Sequence, residues 1–229
     1  MASRPRTILG IDSSTGACSV ALCRESELLA VRREEMTRGQ SERLAPMAGE
    51  VFEEAGLDFG DLDGVAVSRG PGSFTGVRIG LAFAKGLGQA LSVPVLGITG
   101  FDAVARAAQA SGAAAGKHLA VILESRRAEL FFQLYGANGA AMGGPGALPP
   151  EALGEKLASL TGDCPIVLAG DAAEKVAAQL GDVCERSPAT VPDAAEVAAI
   201  GLFLMETGGE CAPEPLYLRA PDVTRPRSA

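Results

Sequence analysis

Three apolar runs open the chain, at residues 7–12 (TILGID), 17–23 (ACSVALC) and 28–32, with only short polar breaks between them. Parallel neighbours need a crossover of a dozen or more residues, so runs this close predict an antiparallel meander. The hydrophobic period then changes. Leu44, Met47, Ala48, Val51, Phe52 and Ala55 recur at helical spacing up to Gly56, with Pro46 expected in the first turn, since deeper in it would break the helix. A strand at 64–68, a helix from about 75 to 91, a strand at 93–98 and a helix at 102–109 follow.

The resulting order, βββαβαβα, is the one built by ribonuclease-H-like domains. The second half partly repeats it. Strands are expected at 119–123, 130–135 and 166–169, with helices at 151–160 and 172–180. The Gly/Pro stretch 136–150 encloses at most one weak strand, and 216–219 reads as a short extended piece. The predicted fold is α/β, with two related halves, 1–110 and a reduced 111–229. The last helix, near 194–206, is expected to pack back onto the first half.

Composition narrows the chemistry. Of 229 residues 47% are apolar and 21% charged, an ordinary globular balance. A net charge of −8 argues against unaided binding to a nucleic-acid backbone, and 4% aromatics leave few rings for stacking on bases. His118 is the one histidine, so two imidazoles cannot converge on a metal and no metal site is expected. The five cysteines form no CxxC pair and read as thiols of a cytoplasmic protein. The longest uncharged run, 130–150, is full of Gly and Pro and is no membrane span.

Two motifs stand out. Asp12-Ser13-Ser14-Thr15-Gly16 places a carboxylate at a strand end before small hydroxyls, either a phosphate and Mg²⁺ turn or a turn capping its own backbone. Residues 68–80 (SRGPGSFTGVRIG) put a Gly-rich turn before a helix, an anion site by its free amides or simply a sharp turn. The P-loop Lys is absent. The helix that follows is apolar around most of its girth, and Gly80, Ala84 and Gly88 form a smooth ridge spaced by four. Such a helix is either buried in its own fold or shared with a partner, and an interface is the reading taken.

ILGIDSST…CSVAL, Ser41-Glu42-Arg43-Leu44 with Pro46, and SRGPGSFTGVRIGLAFAKGL resemble the bacterial TsaB (YeaZ) family, as do LESRRAELFFQLY and Pro215-Leu216-Tyr217-Leu218-Arg219. The similarity spans nearly the whole chain, although Gln40 and Glu124 stand where relatives have His and Asp. The resemblance implies an ASKHA-type fold of two ribonuclease-H-like halves and a non-catalytic role. The partner would be TsaD, which threonylcarbamoylates the adenosine following the anticodon in tRNAs reading codons that start with A. TsaE would join the complex, tRNA would be met only through it, and a homodimer would use the same helices. Leu44, Met47, Val51, Val77, Gly80, Leu81 and Ala84 are the expected interface residues, with Arg78 facing a partner carboxylate. No cofactor is expected to be tightly bound, but the resemblance leaves room for ATP or ADP with Mg at the TsaD boundary, and for nucleotide contact by Asp12, Ser13 and Ser14. The His-x-x-x-His metal pair of TsaD-like catalysts maps to Gly100 and Val104, which cannot ligate.

Two rivals remain. An ATP-dependent small-molecule kinase would use Asp12 and needs a second phosphate motif, for which Gly170-Asp171 is the weak candidate. A peptidase would need a nucleophile–base pair built on His118, without Gly-x-Ser-x-Gly. The locally basic tail, residues 219–229, is either a frayed terminus or a contact to tRNA phosphate.

Overall fold

β1 (Thr7–Asp12) is buried along its whole length, as a strand covered on both faces must be. The computed structural model describes residues 5–161 and 164–219. β2 (Ala17–Arg24) pairs antiparallel with β1, and β3 (Glu27–Glu35) antiparallel with β2, forming the expected meander. α1 (Gln40–Ala55) leads to β4 (Gly64–Ser68), which lies parallel to β1; α2 (Phe74–Leu91) leads to β5 (Val95–Ile98), parallel to β4. The sheet order is β3-β2-β1-β4-β5.

α1 starts a turn before the apolar pattern, because its first residues are Gln40, Ser41, Glu42 and Arg43. Pro46 therefore lies well inside the helix, which corrects the expectation of a first-turn proline. Its missing N–H leaves the Glu42 carbonyl without an intrahelical donor. Both residues are exposed, so water can take that place.

α3 (Gly100–Ala110) connects to the second sheet: β6 (His118–Leu123), β7 (Leu130–Tyr135), β8 (Gly146–Leu148), β9 (Ile166–Ala169) and β10 (Cys184–Arg186). Its order, β10-β9-β6-β7-β8, repeats the first sheet strand for strand. The second copy is reduced in strand length rather than number. β8 and β10 have three residues each, too short and too mixed for a run of apolar residues to reveal.

α4 (Pro150–Thr161) and α5 (Glu174–Leu180) cover the outer face of the second sheet, as α1 and α2 cover the first. Between the sheets lie α3, packed on β6 and β9 through Phe101, Val104 and Ala108, and α6 (Ala194–Thr207), packed on β1 and β4. α6 comes very close. A Cβ at Gly10 would sit 2.1 Å from the Ala194 carbonyl oxygen, and one at Gly201 2.6 Å from Ala66 Cβ. After α6 the chain returns along β5. The Gly97 amide donates to the Cys211 carbonyl at 2.8 Å, and the Leu216 amide to the Arg69 carbonyl at 2.8 Å. Residues 216–219 form no strand with it. Among the described residues no helix is long and apolar enough to cross a membrane. The basic tail beyond Arg219 lies outside the described residues.

Candidate functional site

The two motifs singled out in the sequence meet. Asp12 ends β1 and is fully buried; its Oδ1 accepts from the Ser14 hydroxyl at 2.6 Å, while among the described residues Oδ2 has no hydrogen-bond partner. Burial outweighs the hydroxyls of Ser14 and Ser68 and pushes the Asp12 carboxyl up to about 6. The Gly-rich turn closes over this turn by backbone contact. The Ser13 hydroxyl donates to the Gly76 carbonyl at 2.9 Å, and the Ser73 amide to the Ser14 carbonyl at 2.7 Å. A Cβ at Gly72 would lie 2.1 Å from the Ser14 oxygen, and one at Gly76 2.1 Å from the Ser13 oxygen. These glycines serve the approach of one backbone to another. Gly76→Ala is expected to lower stability by about 3 kcal/mol in urea titrations, because backbone rather than a movable side chain stands in the way.

That contact encloses Asp12, Ser13 and Ser14, the residues expected to touch nucleotide. None of the three side chains reaches solvent, and the space a phosphate would take beside Ser13 and Ser14 is filled by the chain's own Gly72 and Gly76. The kinase rival loses its first motif. At its second, the Asp171 carboxylate is engaged by the Glu124 amide at 2.8 Å. His118 stands at the start of β6, about 17 Å by strand rise from the end facing this turn. Gly100 and Val104 lie one turn apart on α3; the Gly100 amide donates to the Gly70 carbonyl at 2.8 Å, and Val104 is core.

The expected interface residues also need correction. Leu44, Met47, Val51, Val77, Leu81 and Ala84 belong to the core between α1, α2 and the first sheet. Gly80 faces the Ser13 hydroxyl and Gly88 faces Val95, so the Gly80–Ala84–Gly88 ridge packs on its own sheet. These residues lie on the inner faces of α1 and α2, against the first sheet. Arg78 is exposed. The outer side of α2 carries a second small-residue row of the same spacing, Ala82, Gly86 and Ala90, all exposed and bordered by Lys85 and Gln89. Around Gly86 the space is open. Ala45 and Pro46 of α1 are exposed as well. A helix with small residues fore and aft gives no phase in its own sequence. The signal available was the pairing of β4 with β5, which needs α2 to lie flat on both.

Comparison with known proteins agrees with this geometry. Residues 31–144 match the family model described as TsaD, tRNA N6-adenosine threonylcarbamoyltransferase. The solved YeaZ-like protein from Pseudomonas aeruginosa, described as similar to peptidase YEAZ, superposes with a TM-score of 0.78 at 28% identity, covering 93% of this chain and all of that one. The polyphosphate/ATP-glucomannokinase from Arthrobacter superposes with a TM-score of 0.54 at 14% identity over 87% of this chain and 99% of its own, a likeness of fold alone. The Bacillus subtilis tRNA threonylcarbamoyladenosine biosynthesis protein TsaB is 31% identical over 56% of this chain and 55% of its own. Its Escherichia coli counterpart is 30% identical over 93% of this chain and 94% of its own length. With that identity held over more than nine-tenths of both proteins, the chain belongs to the TsaB family.

Proposed function

We propose that this chain is a non-catalytic subunit for tRNA threonylcarbamoyladenosine synthesis, docking on TsaD through the outer side of α1 and α2. TsaE joins the assembly, and a second copy of the chain can take the same face when TsaD is absent. tRNA is met through the complex. Any ATP or ADP with Mg is held at the TsaD boundary, away from the Asp12 turn.

Family membership across nearly the full chain carries the reading. The exposed small-residue row on α2 supports it, because it lets a partner helix approach closely. The closed Asp12 turn and the absence of ligating atoms at Gly100 and Val104 fit a chain that supports chemistry performed elsewhere. Depletion of the protein is expected to remove threonylcarbamoyladenosine from tRNA nucleosides measured by mass spectrometry. Unchanged levels would overturn the proposal.

A further inference from the structure

Where the Gly-rich turn, the β6–β7 turn and the C-terminal segment converge, they enclose a cleft of about 260 Å³. Its floor is apolar, from Val77, Phe131, Leu216 and Leu218. At its mouth stand Phe74 and Tyr217, 50% and 47% exposed, with ring centres 5.7 Å apart. Rings left this open on a chain with so few aromatics are unusual surface for a protein to leave uncovered.

The charge around the cleft is opposite to that of the chain. Arg78, Arg127 and Arg219 line it and, among the described residues, no Asp or Glu does, although the protein carries a net charge of −8. Arg219 is paired with Glu129. Arg78 is held differently. Its guanidinium lies over the Phe74 ring, 3.6 Å from the centre, and its Nε donates to the Tyr217 hydroxyl at 3.0 Å. Among the described residues it has no ion pair. A stacked guanidinium with Nε anchored keeps its two Nη groups in a fixed plane, the geometry that receives a carboxylate.

We propose that this cleft binds an acidic segment of a partner protein, with an apolar side chain in the cavity and a neighbouring carboxylate on Arg78. The chain's own next residues have the wrong sign, since 220–229 hold Arg225 and Arg227 against a single Asp222. A nucleic-acid strand is less well matched. The lining offers no Asn or Gln to read a base, and the Ser125 hydroxyl is already donated to the Glu129 carbonyl. Phe74 and Arg78 continue the exposed row Ala82–Gly86–Ala90 toward the start of α2, and the cleft lies past that end, two turns from Gly86, so this contact adds to the docking face proposed above.

The test uses the isolated chain and a fluorescent acetylated hexapeptide, Glu-Asp-Leu-Phe-Glu-Asp, followed by anisotropy. Saturable, salt-sensitive binding is expected, weakened about tenfold or more by Arg78→Ala and by Phe74→Ala. Gly86→Arg is expected to leave it unchanged, which separates this site from the α2 face. Equal binding of a Lys-Lys-Leu-Phe-Lys-Lys peptide, or full affinity in R78A, would overturn the proposal. So would Arg78-dependent binding of a single-stranded uridine decamer without binding of the acidic peptide.

Discussion

Gly86→Arg is expected to weaken association with TsaD by about 100-fold or more, roughly 3 kcal/mol, while leaving the monomer folded. Gly86 stands in the middle of the exposed row Ala82–Gly86–Ala90, with open space where a side chain would grow. Nothing in the monomer opposes the new side chain, so circular dichroism and the urea midpoint should stay close to those of the parent. A partner helix lying against that row would meet a long charged side chain at the point of closest approach. Gly80 gives the necessary contrast. Its Cβ would lie 2.7 Å from the Ser13 hydroxyl oxygen, within the first sheet's own packing, so Gly80→Asp should lose the complex by losing the fold. Calorimetric titration of TsaD into each folded variant decides between the faces. Parental affinity for Gly86→Arg would place the partner elsewhere on the molecule.

Asp12→Asn is expected to stabilise the protein above pH 6 and to do nothing below about pH 4. The folded-state pKa is about 6, raised from 3.8 by burial, so the unfolded chain gives up this proton first. Below the unfolded value both states hold the proton and no penalty exists. As pH rises from about 4 to 6 the unfolded state ionises ahead of the folded one, and stability falls by about 3 kcal/mol in all. Asparagine keeps the acceptor for the Ser14 hydroxyl and replaces the orphaned Oδ2 with a neutral amide, itself unpartnered. The net gain at pH 7.5 should therefore be smaller, about 1–2 kcal/mol. Urea midpoints at pH 7.5 and pH 4 measure it. A variant less stable than its parent at pH 7.5 would mean that the ionised carboxylate is held by something that Asn cannot replace.

The first half was legible in the sequence because its signals are long and periodic. β2 and β3 run eight and nine residues, and the apolar stripe of α1 repeats over three turns. β10, Cys-Glu-Arg, has no such signal; it exists because β9 beside it offers a free edge. The interface assignment failed for a related reason. Apolar residues at helical spacing say that one face of α2 is buried, but not whether its own sheet or another chain buries it. Gly72 and Gly76 read equally as an anion site or as a sharp turn, whereas their packing depends on a contact with Ser14 and Ser13, about sixty positions earlier. No local pattern encodes that distance.

The return of α6 and the following segment to the first sheet has a consequence for how the chain matures. Ile8, Ala66, Leu96 and Ile98 are covered by Val197, Ala198 and Leu202, and Gly97 bonds to Cys211. The inner face of the first-made sheet therefore stays largely bare until α6 (Ala194–Thr207) has been synthesised. Its closure brings α6 back onto β1 and β4, contacts of long sequence separation and so among the slowest to form. During synthesis that apolar face is the surface a chaperone would meet. The finished molecule buries it without trace.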